Sequence, residues 1–169
     1  AIDIEIDYKN SDEIIKGIQT IGQSFGGINL EDIAAPDCFI IESKLRETLD
    51  IPIFHDDQHG TAIITTAALI NALDISKKKV GDVKIVVNGA GASAIACANL
   101  FKKIGIKSEN ILMLDRKGVI YKGRDNIDQF KSAYAVETKL RTLPEAIKGA
   151  DIFLGLSAKN VLTKDMVKS

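Results

Sequence analysis

The segment that most constrains this chain is a buried strand that ends in a glycine turn and opens directly into a helix. Val83-Lys84-Ile85-Val86-Val87-Asn88 reads as the strand, Gly89-Ala90-Gly91-Ala92-Ser93-Ala94 has the form G-x-G-x-x-A, and residues 91 to 104 carry the helix. In such a turn the first glycine permits the tight bend, and the second lets the backbone approach a pyrophosphate. The small third residue lets helix and strand pack closely. The helix N-terminus then presents free N–H groups and a partial positive charge to phosphates. Gly89, Ala90, Gly91, Ala92, Ser93 and Ala94 are therefore candidate residues for a dinucleotide.

The pattern continues beyond the turn. Ile111 to Asp115 reads as a second strand, a helix lies around Leu143 to Ile147, and Ala150 to Leu154 reads as a third strand. Strand and helix alternate, which implies an α/β fold of Rossmann-like type, with a parallel sheet and crossover helices. Asp115 closes the second strand, 26 residues after Gly89, near the ~20-residue offset of an acid that accepts hydrogen bonds from the adenosine ribose. Arg116 and Lys117 follow it. An acid that favours NAD thus stands beside cations that suit the 2′-phosphate of NADP, and the choice stays open. The alternative is that the glycines serve only the turn and Asp115 only starts a loop.

The first half reads differently. Residues 2 to 7 alternate apolar and acidic, which predicts a strand with one buried face. Asn10 to Glu13 offers caps ahead of Ile14, Ile15, Ile18 and Ile21, a helix face ended by Gly22. Ile28-Asn29-Leu30 is a short strand, and a second helix starts at Pro36 and Asp37, with Phe39, Ile40 and Leu45 on its apolar side. After the brief Ile53-Phe54, residues Gly60 to Leu73 are nearly all Ala, Ile, Thr and Leu, which predicts a helix buried on most sides. The polar Ser76-Lys77-Lys78-Lys79 break then divides the chain into residues 1–75 and 80–169.

Two carboxylate clusters follow strand ends in the first half: Glu31-Asp32, and Asp56-Asp57 after His55. At the ends of neighbouring parallel strands such groups converge, and a cation relieves their repulsion. Hard oxygen donors without cysteine favour Mg²⁺ or Mn²⁺; zinc held by His55 and His59 at their i, i+4 spacing is disfavoured because Gly60 follows at once and no helical register is assured. Taken singly, each carboxylate could instead cap a helix or lie in an exposed turn.

Composition narrows the partners. With 22 basic and 23 acidic residues the net charge is −1, so no basic field attracts nucleic acid or an anionic membrane. Cys38 and Cys97 lie in apolar stretches that suit buried thiols, and no apolar run approaches the ~20 residues that span a bilayer. A cytoplasmic protein acting on small molecules is expected. The chain opens inside a strand-like alternation without an initiating Met, which reads as a fragment.

Glu31-Asp32-Ile33-Ala34-Ala35-Pro36-Asp37-Cys38-Phe39 and Phe54-His55-Asp56-Asp57-Gln58-His59-Gly60-Thr61-Ala62 resemble the two metal-site motifs of malic enzymes, the bacterial branch most closely. The resemblance continues through Asn88 to Ala94, Leu114 to Tyr121 and Phe153 to Ser157, nearly the whole chain. It implies that residues 1–75 are part of the metal- and substrate-binding domain and residues 80–169 the first half of the NAD(P)-binding domain. It further implies that Glu31, Asp32 and Asp57 hold Mg²⁺ or Mn²⁺ with the catalytic Asp56 beside them, and that Thr61 and Ser157 join Asp115, Arg116 and the glycine turn at NAD or NADP. The implied reaction converts malate to pyruvate and CO₂ in a homo-oligomeric parent. The family's tyrosine acid and lysine base come from a region N-terminal to these residues, and Tyr8 and Lys9 do not match them. A following asparagine loop is also outside this sequence, so the 169 residues alone are expected to bind poorly and turn over little. The rival readings are an amino-acid dehydrogenase, which would need a catalytic lysine and no cation, and a non-catalytic dinucleotide-binding fragment.

Overall fold

The helix expected from Ile14, Ile15 and Ile18 forms as α1, Ser11–Gly22, in a computed structural model that describes all 169 residues. Its start is doubly fixed. The Asn10 side chain accepts a hydrogen bond from the Glu13 N–H, and the Glu13 carboxylate accepts one from the Lys9 N–H, each at 3.0 Å. Strands β1, Ile28–Leu30, and β2, Ile53–His55, pair in parallel with Leu30 opposite His55, and helix α2, Asp37–Thr48, connects them. Cys38, Ile41 and Leu45 of α2 are fully buried against Ile14, Ile15 and Ile18; each aliphatic side chain so buried contributes about 1.5–3 kcal/mol relative to exposure.

Three expectations for this half need correction. Residues 2 to 7 form no strand: no neighbouring strand is there to pair with, and Ile2 stands 75% exposed. Only Ile6 of that run packs, against the α1 cluster. Ile40 belongs to the outer face of α2, the inner one being set by Cys38, Ile41 and Leu45. The helix after Gly60, α3 (Thr61–Ser76), buries one narrow stripe, Ala62, Thr66, Leu69 and Leu73, while Ile64 is 68% and Ile75 81% exposed. An Ala/Ile/Thr sequence lacks polar positions to mark which face meets solvent, so its pattern could not reveal this.

The second half is built on a four-stranded sheet ordered β5-β4-β3-β6. Its members are β3 (Ile85–Asn88), β4 (Ile111–Asp115), β5 (Gly118–Val119) and β6 (Ile152–Gly155). β3 lies between β4 and β6, parallel to both, and β5 folds back antiparallel on β4. The connection from β3 to β4 is α4, Ala92–Lys103, whose fully buried Ala94, Cys97 and Ala98 allow close approach to the sheet. Short helices α5 (Gln129–Ser132), α6 (Leu143–Ala146) and α7 (Lys164–Lys168) complete the chain. Ala62, Leu69 and Leu73 of α3 share one apolar cluster with β3 and α4. Both cysteines are free and buried, and burial pushes the Cys38 thiol up to about 11. No helix is long and apolar enough to cross a membrane.

An electrostatic latch joins the end of α3 to this sheet. Asp151 accepts a hydrogen bond from the Lys84 N–H at 2.8 Å and pairs with the Lys78 ammonium. The Lys78 hydrogen bond, then that of Lys84, hold its carboxyl below the ordinary range. A depressed folded value stabilises fully above the unfolded value, near pH 4, and the contribution disappears as pH falls through the folded one. The pair is partly exposed, so Asp151→Asn is expected to cost about 1 kcal/mol or less at pH 7. Melting temperatures of native and variant chains should converge on acidification below about pH 4; a gap that stays constant down to pH 2 would contradict the latch.

Candidate functional site

The parallel pairing of β1 and β2 sends their following residues out at one edge, so Glu31-Asp32 and Asp56-Asp57 leave neighbouring strand ends. Asp32 adopts a left-handed backbone at φ 57°, and its N–H donates to Asp57 Oδ2 at 2.9 Å. That single bond ties the two clusters together. A non-glycine residue in this region carries strain, tolerated best by Asp and Asn and concentrated at functional sites.

Asp56–Gly60 forms a π-helical turn ahead of α3. A Cβ at position 60 would stand 2.4 Å from Asp56 Oδ1, so the Asp56 carboxylate folds back over Gly60 and would have to turn aside for any other residue there. No side chain caps α3, which removes the capping role weighed for Asp56 and Asp57. Behind the turn, His55 is wholly buried, neither ring nitrogen has a partner, and Nδ1 lies 3.9 Å from Asp57 Oδ2. Gln58 and His59 turn the other way, onto Glu42 of α2.

Hard, mostly exposed oxygen donors together with an orphaned buried imidazole fit a divalent cation chemically. The ligand sphere is not assembled, however. No three His, Cys, Asp or Glu side chains are gathered in ligating geometry, and one oxygen of Asp57 is held by the Asp32 N–H.

The register of the larger sheet aligns Asn88 with Leu114 on one side and Gly155 on the other, so three strand ends open into one crevice. Gly89 has φ 143°, and a Cβ there would meet the Leu156 carbonyl oxygen at 2.5 Å. Gly91 is the N-cap of α4, and nothing lies within 4 Å of where its Cβ would stand. The first glycine thus relieves crowding behind the turn, and the second leaves the helix N-terminus open in front. The Asn88 amide donates to Ser157 Oγ at 2.8 Å and joins the ends of β3 and β6.

Asp115 is at the end of β4 as expected, but its carboxylate is occupied. Arg124 reaches both oxygens, at 2.6 and 2.7 Å, and the Lys117 N–H donates to one at 2.8 Å. The same guanidinium donates to the carbonyls of Gly118 and Val119 at 3.1 and 2.9 Å. Its side chain is 7% exposed. Arg116 and Lys117 line the crevice with Gly89, Ala90, Gly91, Asp115 and Ser157, in a cleft of about 980 Å³. Ala92, Ser93 and Thr61 are outside its lining, and Ala94 is buried in the helix–sheet contact.

The cleft also reaches the first half of the chain, through Ala35, Pro36 and Phe39. Phe39 meets Phe130 with ring centroids 4.4 Å apart. Sequence reasoning missed Arg124, Glu42 and this aromatic contact. Arg124 sits in loop sequence and Phe130 in the single turn of α5, too short to show periodicity, and Glu42 breaks the rule that the buried faces of helices are apolar.

Comparison with known proteins places these features in a family. The model of the malic enzyme NAD-binding domain matches residues 58–169. The NADP-dependent malic enzyme of Rhizobium meliloti is 60% identical over all of this chain, which spans 22% of that protein. The NAD-dependent malic enzyme of the same organism is 50% identical over 99% of the chain, again 22% of the relative. In crystal structure, the NAD-dependent malic enzyme of Thermotoga maritima superposes with a TM-score of 0.90 at 37% identity, over 96% of this chain and 44% of that one. The chain spans about a fifth of the length of these two relatives, and about two fifths of the shorter malic enzymes it also matches.

Proposed function

Because the chain belongs to the malic enzyme family, we propose that it carries the cation-binding carboxylates and the NADP-binding turn of an enzyme that oxidatively decarboxylates malate to pyruvate. One observation carries the reading: a single cleft runs from the Gly89–Gly91 turn to Ala35 and Pro36, three and four residues beyond Asp32 on the same loop, while Glu31 and Asp32 themselves line a separate cavity. A dinucleotide held at the turn would then reach the loop that carries Glu31 and Asp32, where the hydroxy acid would be held.

Glu31, Asp32 and Asp57 are the residues that would hold Mg²⁺ or Mn²⁺, with Asp56 beside them. When bound, the cation supplies electrophilic polarisation of the substrate oxygen, and the dinucleotide supplies the hydride acceptor. The chain's own residues do the positioning. Gly91 keeps the backbone of the turn accessible, the N-terminus of α4 would offer free N–H groups to a pyrophosphate, and Ser157 braces Asn88 behind the turn. NADP is favoured over NAD because Arg124 neutralises Asp115 while Arg116 and Lys117 remain on the cleft. A 2′-phosphate would meet two cations there and no free carboxylate.

Two titrations test this. Mn²⁺ binding, followed by electron paramagnetic resonance, is expected to fall by about tenfold or more in Asp57→Ala, with NADP⁺ affinity retained. NADP⁺ should bind the native chain more tightly than NAD⁺. Undiminished Mn²⁺ binding by Asp57→Ala would remove that residue from the ligand set, and tighter NAD⁺ binding would reverse the coenzyme assignment.

A further inference from the structure

We propose that Glu42 is a positioning residue for the cation site, fixing the π-helical turn 56–60 so that Asp57 faces Asp32; the inference rests on the reading of Asp57 as a cation ligand. Glu42 is a carboxylate in the buried face of α2, between Ile41 and Leu45. Burying a charge there is unfavourable unless donors surround it. They come mainly from the turn: Oε2 accepts from Gln58 Nε2 at 3.2 Å, and Oε1 lies 2.5 Å from His59 Nε2. Arg46, one turn along α2, adds a cation at 3.5 Å from Oε1.

These contacts matter because, although the turn also packs against α4, Glu42 supplies the side-chain hydrogen bonds that hold Gln58 and His59. The Thr61 N–H donates to the Asp56 carbonyl, the wide π spacing, and also to the Gln58 carbonyl, and such π turns are rare and found mostly at functional sites. On the cation side the turn is tied only by the bond from the Asp32 N–H to Asp57 Oδ2. If the turn rewound as ordinary α-helix, one residue would be removed from its register, and everything N-terminal to it would rotate by roughly 100° about the helix axis. Asp57 would swing away from Asp32. Gln58 and His59, the two residues after Asp57, fill the opposite side of the turn, so holding them sets where Asp57 points. Glu42 itself touches none of the carboxylates proposed as ligands, so its effect is exerted through the backbone of the turn.

The test uses the full 169-residue chain with Mn²⁺ alone as the probe, and NADP⁺ as an internal reference. Glu42→Ala is expected to weaken Mn²⁺ binding by about 10- to 100-fold, the usual consequence of losing a group that orients a ligand. Glu42→Gln, which keeps the shape and one acceptor oxygen, should restore binding to within about threefold of native while altering the Mn²⁺ resonance line shape. NADP⁺ affinity should stay unchanged in both. If Glu42→Ala does not fold, Glu42→Gln decides through its affinity and line shape. Native Mn²⁺ affinity and line shape in the variants would overturn the proposal, and so would an equal loss of Mn²⁺ and NADP⁺ binding, which would make Glu42 a packing residue. Failure of the native chain to bind Mn²⁺ would instead overturn the cation-site reading beneath it.

Discussion

Gly89→Ala is expected to remove dinucleotide binding and lower the melting temperature by about 5–15 °C, whereas Gly91→Ala should remove binding and leave the melting temperature within about 2 °C of native. The two glycines are two residues apart, but they face opposite sides of the turn. A Cβ on Gly89 meets the Leu156 carbonyl oxygen at 2.5 Å and its carbon at 2.9 Å, backbone atoms that cannot swing aside, at a φ of 143° that side chains rarely adopt. Left-handed strain and overpacking each cost about 1–3 kcal/mol. Relief requires β6 to move from β3, which breaks the hydrogen bond from Asn88 to Ser157 and displaces Ser157 from the cleft. Gly91 has ordinary φ of −88° and open space where a Cβ would stand. A methyl group there clashes with nothing in the protein and only with what approaches the N-terminus of α4. Calorimetry and NADP⁺ titration on the two variants separate the roles. Full NADP⁺ affinity in Gly91→Ala would show that the pyrophosphate does not lie over that residue, and an unchanged melting temperature in Gly89→Ala would show that β6 yields freely.

What could be read in advance follows the range of the physics involved. The turn, α4 and the succession of parallel strands were legible because glycine spacing, helix periodicity and short buried strands are local signals, complete within a few residues. The α1 face of Ile14, Ile15 and Ile18 was legible for the same reason. Residues 2 to 7 show where local signals end: their alternation specifies a face to be buried, yet a strand also needs a neighbour to bond with, and no local pattern reveals one. The outer face of α3 stayed hidden because Ile63, Ile64 and Ile70 are as apolar as the buried Leu69 and Leu73. Glu42 and Arg124 were illegible for a more general reason. Each is a charge buried against partners distant enough in sequence, Gln58 and His59 for one and Asp115 for the other, that only the folded chain brings them together. Both bear on candidate site residues, so the less legible contacts of this chain are the long-range ones beside its candidate site.

Arg124→Met is expected to move coenzyme preference at least tenfold from NADP⁺ toward NAD⁺ and to destabilise the fold by about 2–4 kcal/mol. The stability loss follows from removing one partner of a nearly buried pair. Asp115 loses two charge-assisted bonds, and the Gly118 and Val119 carbonyls lose their donor. Breaking a fully buried pair in this way costs about 3–5 kcal/mol, and the residual exposure of Asp115, 19%, lowers the figure. The coenzyme shift follows from charge. With Arg124 present, the end of β4 offers the cleft a neutralised carboxylate beside Arg116 and Lys117; without it, a free carboxylate faces the ribose, accepts from the 2′-hydroxyl of NAD⁺ and repels the 2′-phosphate of NADP⁺. The double variant Arg124→Met with Asp115→Asn separates the two consequences. Removing the stranded charge should recover most of the lost stability and restore tolerance of the 2′-phosphate, since the repelling carboxylate is gone, while the gain toward NAD⁺ should shrink. If Arg124→Met loses stability but keeps its NADP⁺ to NAD⁺ ratio, the clamp on Asp115 is structural only, and coenzyme choice must rest on Arg116 and Lys117 alone.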